Sequence, residues 1–366
     1  MDEAIQRFLN AKVKHRLLSE KTDEVKQWLD LKGSPYIIFV FGPTGAGKTT
    51  LATKLASDVN KAEGAEQNKS IYPGFYYSFP SVPGYHNKTH PWAESLREML
   101  AQTGEPLIDH KVAVKDLFEN PDQPGAPLPP RYSRATVPTL FLALGNALRR
   151  RKTQQVYFDE YHKVIPKINL AAIKQEVDAL QSLAEVSQSK LIVVGTYRIL
   201  DITDTANWSD QISRRSVKVH LPRYGLSKAD SAEFQNVLEE FGDRLPLKQT
   251  VNLTEEKKWF YDGCAGCVGI LKEWFDRALQ LAAREGTVVT QKHFEKARLE
   301  AALLERIHGE ISDGELRLNP PPPDSCSTPS SDCSTKTINA ESKGSKPGMP
   351  KPRRFKTGDP NSDGTS

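Results

Sequence analysis

Long apolar runs are missing from this chain. No stretch approaches the length of a membrane span, and the opening MDEAIQRFLN reads as a charged helix rather than a secretion leader. Cysteine is scarce, with 4 in 366 residues. That excludes a disulfide-built scaffold and suits a reducing, cytoplasmic setting. Cys264 and Cys267 form one CxxC without the second pair a zinc finger needs, so they are expected to be small residues packing a helix start. Cys326 and Cys333 fall in a Ser-rich stretch. An excess of one charge is lacking too. The net charge is +4, which excludes a chain-wide electrostatic clamp on nucleic acid, so any such contact must come from local clusters.

The chain does carry an alternation of short apolar runs and helical patterns. Residues 4–31 place Ile5, Phe8 and Leu9, then Val25, Trp28 and Leu29, at helical spacing, closed by Gly33 and Ser34. This predicts a helical element over residues 1–33, a brace on the main domain. Strands are predicted at 36–41, 70–79, 155–158, 191–194 and 217–221, with a helix over 49–61 after the first. That pacing argues an α/β class over residues 34–225, a parallel five-stranded sheet flanked by helices. The stretch ENPDQPGAPLPPRYS between the second and third strands is a loop by composition. After Pro222 the pattern is wholly helical. Ser227 caps one helix, Thr254 opens another, Gly269 opens ILKEWFDRALQLAAREG, and Thr290 caps QKHFEKARLEAALLERI. Residues 226–310 are therefore expected to form a small all-helical lid domain. Residues 311–366 carry scarcely any apolar side chain and are expected to be a disordered Pro/Ser/basic tail, with a basic cluster from Lys351 to Lys356.

The chemistry gathers on two motifs. Gly42, Pro43, Thr44, Gly45, Ala46, Gly47, Lys48 and Thr49 make a complete GxxxxGK[ST] between a predicted strand and a predicted helix, which Thr50 continues. Its glycines let successive backbone N–H groups turn onto a phosphate, and the helix start adds its positive dipole end. Lys48 reaches the β- and γ-phosphates of ATP, and the Thr49 hydroxyl is a ligand for Mg²⁺. The second motif is VYFDE, residues 156–160. Asp159 is placed to hold the metal through water, and Glu160 to orient and polarise an attacking water. A small-molecule kinase has no use for such a Glu, because its nucleophile is the substrate. The reaction indicated is hydrolysis of ATP to ADP and phosphate.

Three further positions are candidates. The fourth strand ends in VGTYR, where Thr196 would lie near the γ-phosphate, against the plain alternative of a strand-end turn. Arg214 and Arg215 precede the last strand, where an arginine can reach a neighbouring subunit's nucleotide; a surface ion pair is the plain alternative. LRRRK, residues 148–152, looks like a nucleic-acid patch, but complementing a helix dipole explains it without a ligand.

Taken together, these stretches resemble an AAA+ ATPase, an α/β core followed by a helical lid. More narrowly, the chain resembles the TnsC/TniB family of transposon regulators related to MuB. KLIVVGTYRI after VYFDE, the spaced QISRRSVKVHLPRYGLS, and the lid pattern GCAGCVGILKEWFDRALQLAAREGTVVTQKHFEKA carry the resemblance, which spans Lys21 to Ile307. It implies a bacterial, DNA-associated protein that binds ATP between subunits and assembles with itself as a filament or ring on double-stranded DNA. It also implies a link between a TniQ/TnsD-type target selector and a transposase of the TnsB type, with or without a TnsA-type nuclease, and disassembly on slow, partner-stimulated hydrolysis. The family's DNA-backbone contacts map onto HNKTHPWAESLR, with Lys88 and Arg97, and onto RYSRATVPTL, with Arg131, Arg134 and Thr136. Two features depart from the pattern. The stretch between the two nucleotide motifs is long, and the lid helix offers Lys272 where many AAA+ proteins place a nucleotide-touching arginine. Two competing readings share the nucleotide residues: a replication-initiator or helicase-loader ATPase, and a nucleotide-dependent signalling switch. The first would be supported by a dedicated DNA-binding domain after the lid. The second would be supported by a long repeat domain there.

Overall fold

Five short runs rich in β-branched and aromatic residues become the strands. They are β1 (Ile37–Phe41), β2 (Gly74–Ser78), β3 (Gln155–Asp159), β4 (Lys190–Gly195) and β5 (Ser216–His220). All neighbours pair in parallel in the order β2-β3-β4-β1-β5. β4 is thus inserted between the two strands that carry the nucleotide motifs. A computed structural model describes residues 2–11, 13–33, 36–81, 90–104, 136–165, 170–203, 215–246 and 250–319. Among these, no helix is long and apolar enough to cross a membrane.

A parallel sheet is covered on both faces, so its strands read as continuous apolar runs. The period of two sorts β1 between two cores. Ile37, Phe39 and Phe41 join the core that also holds Val156, Phe158, Leu191 and Val193. That core is roofed by helices α4 (Trp92–Gln102), α5 (Val137–Arg150), α6 (Leu170–Ser187) and α7 (Ile199–Thr203). Ile38 and Val40 join the other core, with Tyr157, Ile192, Val194 and Val219, under helix α3 (Lys48–Ala62). The predicted second strand is trimmed to Gly74–Ser78, because Gly74 lies against α3. A Cβ there would come 2.6 Å from the Ala56 carbonyl oxygen.

The helical part after β5 has its own core. It comprises α8 (Lys228–Arg244), α9 (Lys257–Cys264), α10 (Val268–Glu285) and α11 (Gln291–Ala297). Its centre is Trp274, fully buried, with its indole N–H donating to the Phe294 carbonyl at 2.6 Å. The glycine-cysteine run is small for a steric reason: a Cβ on Gly263 would meet the Trp274 ring at 2.3 Å. Ser227 caps α8, accepting from the Asp230 N–H at 3.1 Å, and Thr290 forms a capping box with His293.

Two arrangements go beyond the sequence reading. The N-terminal element is two helices, α1 (Asp2–Asn10) and α2 (Arg16–Asp30). Ile5, Phe8 and Leu17 enter the lid core, while Leu18 and Val25 enter the core beneath α3. The predicted single helix after Thr290 is also two. Arg298 turns extended, and its guanidinium lies over the rings of Trp259 and Trp274, at 5.7 and 5.9 Å. A new helix, α12, then runs Ala301–Leu318, past the predicted lid boundary at 310. Ile311 is buried in the lid core, Gly314 seats on Tyr197, and Leu318 packs on the sheet core. Residues 320–366, with Cys326, Cys333 and the basic cluster, lie outside the described residues.

Candidate nucleotide site

The phosphate loop turns between β1 and the start of α3, at the C-terminal ends of the parallel strands, where open α/β sheets place their ligands. Gly45 and Gly47 hold φ of 78° and 96°, the left-handed region where a side chain is strained. The loop is also crowded. A Cβ on Gly42 would stand 2.0 Å from the Leu221 carbonyl oxygen, and one on Gly45 would stand 2.6 Å from Ile270. Lys48 is buried, and its ammonium donates to the carbonyls of Gly42 at 3.0 Å and Pro43 at 2.7 Å. Burial holds it below its ordinary range, opposed by the carboxylates of Glu160, Glu310 and Asp159. Thr49, at the start of α3, is exposed. Such a loop suits a polyphosphate: left-handed glycines expose main-chain donors, and a positive side chain lies beneath them.

Asp159 and Glu160 stand at the end of β3. The Asp159 carboxylate is buried and accepts from the Tyr76 hydroxyl at 2.9 Å and from the Glu160 N–H at 2.8 Å. The Tyr76 phenol is pushed up by burial first and then by Asp159. A fixed, buried carboxylate with an exposed Thr hydroxyl on the facing loop suits a hard cation that keeps several waters. Glu160 itself takes φ of 57°, unusual for a residue with a side chain. Its carboxylate pairs with Lys163 at 3.0 Å, and His162 lies 3.7 Å away. Lys163 also donates to the Phe79 carbonyl at 3.2 Å. His162 is lowered to about 4, by burial first. The sequence reading missed Lys163, since a lysine three residues past the motif carries no signal of its own.

Thr196 follows β4 and shares a cavity of about 440 Å³ with Thr44 of the phosphate loop, His162, and Glu310, Asp313 and Gly314 of α12. The lid closes on the loop directly: the Gly269 N–H donates to the Gly45 carbonyl at 2.7 Å. Leu18 of α2 lies 3.3 Å from where a Gly47 Cβ would be. Nothing in the sequence joins residues so far apart.

Other candidates lie elsewhere. Lys272 is turned onto α1: it pairs with Asp276 at 2.5 Å, donates to the Leu9 carbonyl at 3.3 Å, and sits 4.7 Å over the Phe8 ring. Those partners, rather than the phosphate loop, take its charge. Arg215 stands at the opposite end of β5 from the loop, about 15 Å along the strand. It pairs with Glu185 at 3.1 Å and lies over Tyr36. Arg97 is half-buried on α4, and Thr136 is the exposed N-cap of α5, its hydroxyl 2.9 Å from that of Thr139. Lys88, Arg131, Arg134 and Arg214 lie outside the described residues. In LRRRK, Arg149 and Arg150 occupy the last turn of α5, and Arg151 donates to the carbonyls of Lys69 and Gly104. Cys264 and Cys267 are buried, and their thiols are pushed up by burial. Among the described residues there is no cluster of three metal-binding side chains.

A family model described as an AAA domain matches residues 31–203. No curated protein matches the chain in sequence. Among solved structures, the chain is similar to the ORC2 protein of Aeropyrum pernix, determined in ADPNP and ADP complexes. The TM-score is 0.50 and the identity 17%, covering 84% of this chain and 71% of that one. Matches at 14% identity and a TM-score of 0.47 are a Walker-type ATPase of Pyrococcus abyssi, covering 85% and 79%, and Cdc6p of Pyrobaculum aerophilum, covering 81% and 70%. The chain has the AAA+ P-loop fold.

Proposed function

We propose that this chain binds and hydrolyses ATP with Mg²⁺, and that the nucleotide times its assembly on double-stranded DNA as a transposition regulator of the TnsC/TniB kind. The observation that supports this best is the pairing of an intact hydrolytic set with a lid bonded to the phosphate loop. Asp159 and Glu160 face the loop across β4, and Gly269 holds Gly45. A change at the phosphates thus reaches the lid, and through Leu17 and Phe8 the N-terminal helices. Lys48 and the loop amides hold phosphate, Thr49 and Asp159 hold the cation, Glu160 orients water, and Thr196 senses the terminal phosphate. Arg215 or Arg214 serves a neighbour's site, because Arg215 stands too far along β5 for its own. DNA backbone is taken by Lys88, Arg97, Arg131, Arg134 and Thr136. The partners are a TniQ/TnsD-type selector and a TnsB-type transposase, the latter recruited by residues 320–366.

Electron microscopy of the protein with double-stranded DNA tests this. Ordered filaments or rings are expected with a non-hydrolysable ATP analogue and not with ADP. Monomers under both conditions would overturn assembly on DNA. The second reading is a DNA replication initiator, and it rests on the fold shared with the Aeropyrum ORC2 protein. Sequence-selective binding to origin-like DNA, with no effect on a transposase, would favour it.

A further inference from the structure

Helix α12 crosses from the lid to the core and brings carboxylates to the phosphate side of the site. Its seat is tight: a Cβ on Gly314 would come 2.2 Å from the Tyr197 ring, directly after Thr196. Two ion pairs fasten it to the core. Glu315 takes Arg223 in a bidentate pair at 3.0 and 3.1 Å, and Arg317 meets Asp201 at 2.9 Å. Glu310 and Asp313 line the cavity with Thr44 and Thr196, and with Arg198 and Arg317, whose guanidinium groups are engaged elsewhere: Arg317 pairs with Asp201, and Arg198 donates to the carbonyls of His162 and Ile165, each at 2.8 Å. Among the described residues, neither carboxylate is taken by an ion pair, whereas Glu315 and Asp201 are. The charge of Glu310 is felt at Lys48, together with those of Glu160 and Asp159.

Resting on the nucleotide-binding reading above, we propose that α12 sets the nucleotide preference of the site. Glu310 and Asp313 stand on the side toward which a terminal phosphate extends, and their charge disfavours the third phosphate while the helix is seated. ADP, one phosphate shorter, escapes most of that repulsion. Moving α12 off Tyr197 then favours ATP, so a partner that displaces this helix charges the site without touching it. The device works by like charge across a cavity open to ions, so it weakens with salt.

The test is calorimetric titration of the full chain with a non-hydrolysable ATP analogue and with ADP, both with Mg²⁺. In the double variant Glu310→Gln, Asp313→Asn, the preference for the ATP analogue over ADP is expected to rise about tenfold, the scale of one partly screened like-charge contact. Gly314→Val, which keeps both carboxylates in the chain but pushes the helix that carries them from Tyr197, should shift the ratio the same way. Thermal melts report whether each variant is folded. An unchanged ratio in both folded variants overturns the proposal. So does weaker analogue binding with loss of its Mg²⁺ dependence, which would make the carboxylates cation ligands. If the unmodified chain binds neither nucleotide, the reading beneath the proposal fails as well.

Discussion

At the scale of single residues, Glu160 carries the sharpest expectation. It follows the buried Asp159 at the end of β3, is held at φ of 57°, and is tied to Lys163 at 3.0 Å. Glu160→Gln keeps size and hydrogen bonding but cannot take a proton. Turnover should fall by about 10²- to 10³-fold with nucleotide affinity changed only slightly, read by steady-state ATPase assay beside titration. Normal turnover in that variant would remove Glu160 from its assigned role. The phosphate loop and the two acids were legible because each motif is contiguous and its meaning lies in spacing. Lys272 was not. Its helical position is that of a lid cation, but its direction is decided by Phe8 and Leu9, more than 260 residues earlier.

At the scale of elements, the strand pattern could be read from the alternation of apolar runs. The junctions could not. ARLEAALLER favours helix throughout, yet the chain turns extended at Arg298, where the guanidinium stacks on Trp259 and Trp274 and Leu299 packs on the lid core, and splits into α11 and α12. The destination of α1 is likewise tertiary. Its Phe8 is 4% exposed and packs edge-on to Phe241, with centroids 6.5 Å apart. Phe8→Ala should cost about 3 kcal/mol of stability, measured by denaturant unfolding. The same variant removes the ring beneath Lys272, and a loss much below that figure would mean α1 is only loosely held.

At the scale of the whole molecule, stability is tied to pH through buried imidazoles. Burial holds His15, His90, His162 and His220 near 4, against an ordinary value of 6.5. Between those values the unfolded chain takes up protons that the folded chain refuses, so stability falls as pH drops through the window. The Glu176 carboxyl, raised to about 7 by burial, works the other way. The folded chain holds its proton from 4.5 up to about 7, and that contribution is lost as pH rises through 7. Four groups oppose one, so melting temperature should decline from pH 7 toward pH 5. A flat profile in thermal melts over that range would contradict the neutral state of these histidines.

The lid and the phosphate loop meet through main chain, Gly269 N–H to Gly45 C=O. That link is invisible to any survey that trims side chains one at a time, because no side chain makes it. It nonetheless requires glycine at that position, since a Cβ on Gly269 would stand 2.6 Å from the Gly45 carbonyl oxygen. Adding a methyl, as in Gly269→Ala, would therefore report on the joint between the two halves where trimming stays silent.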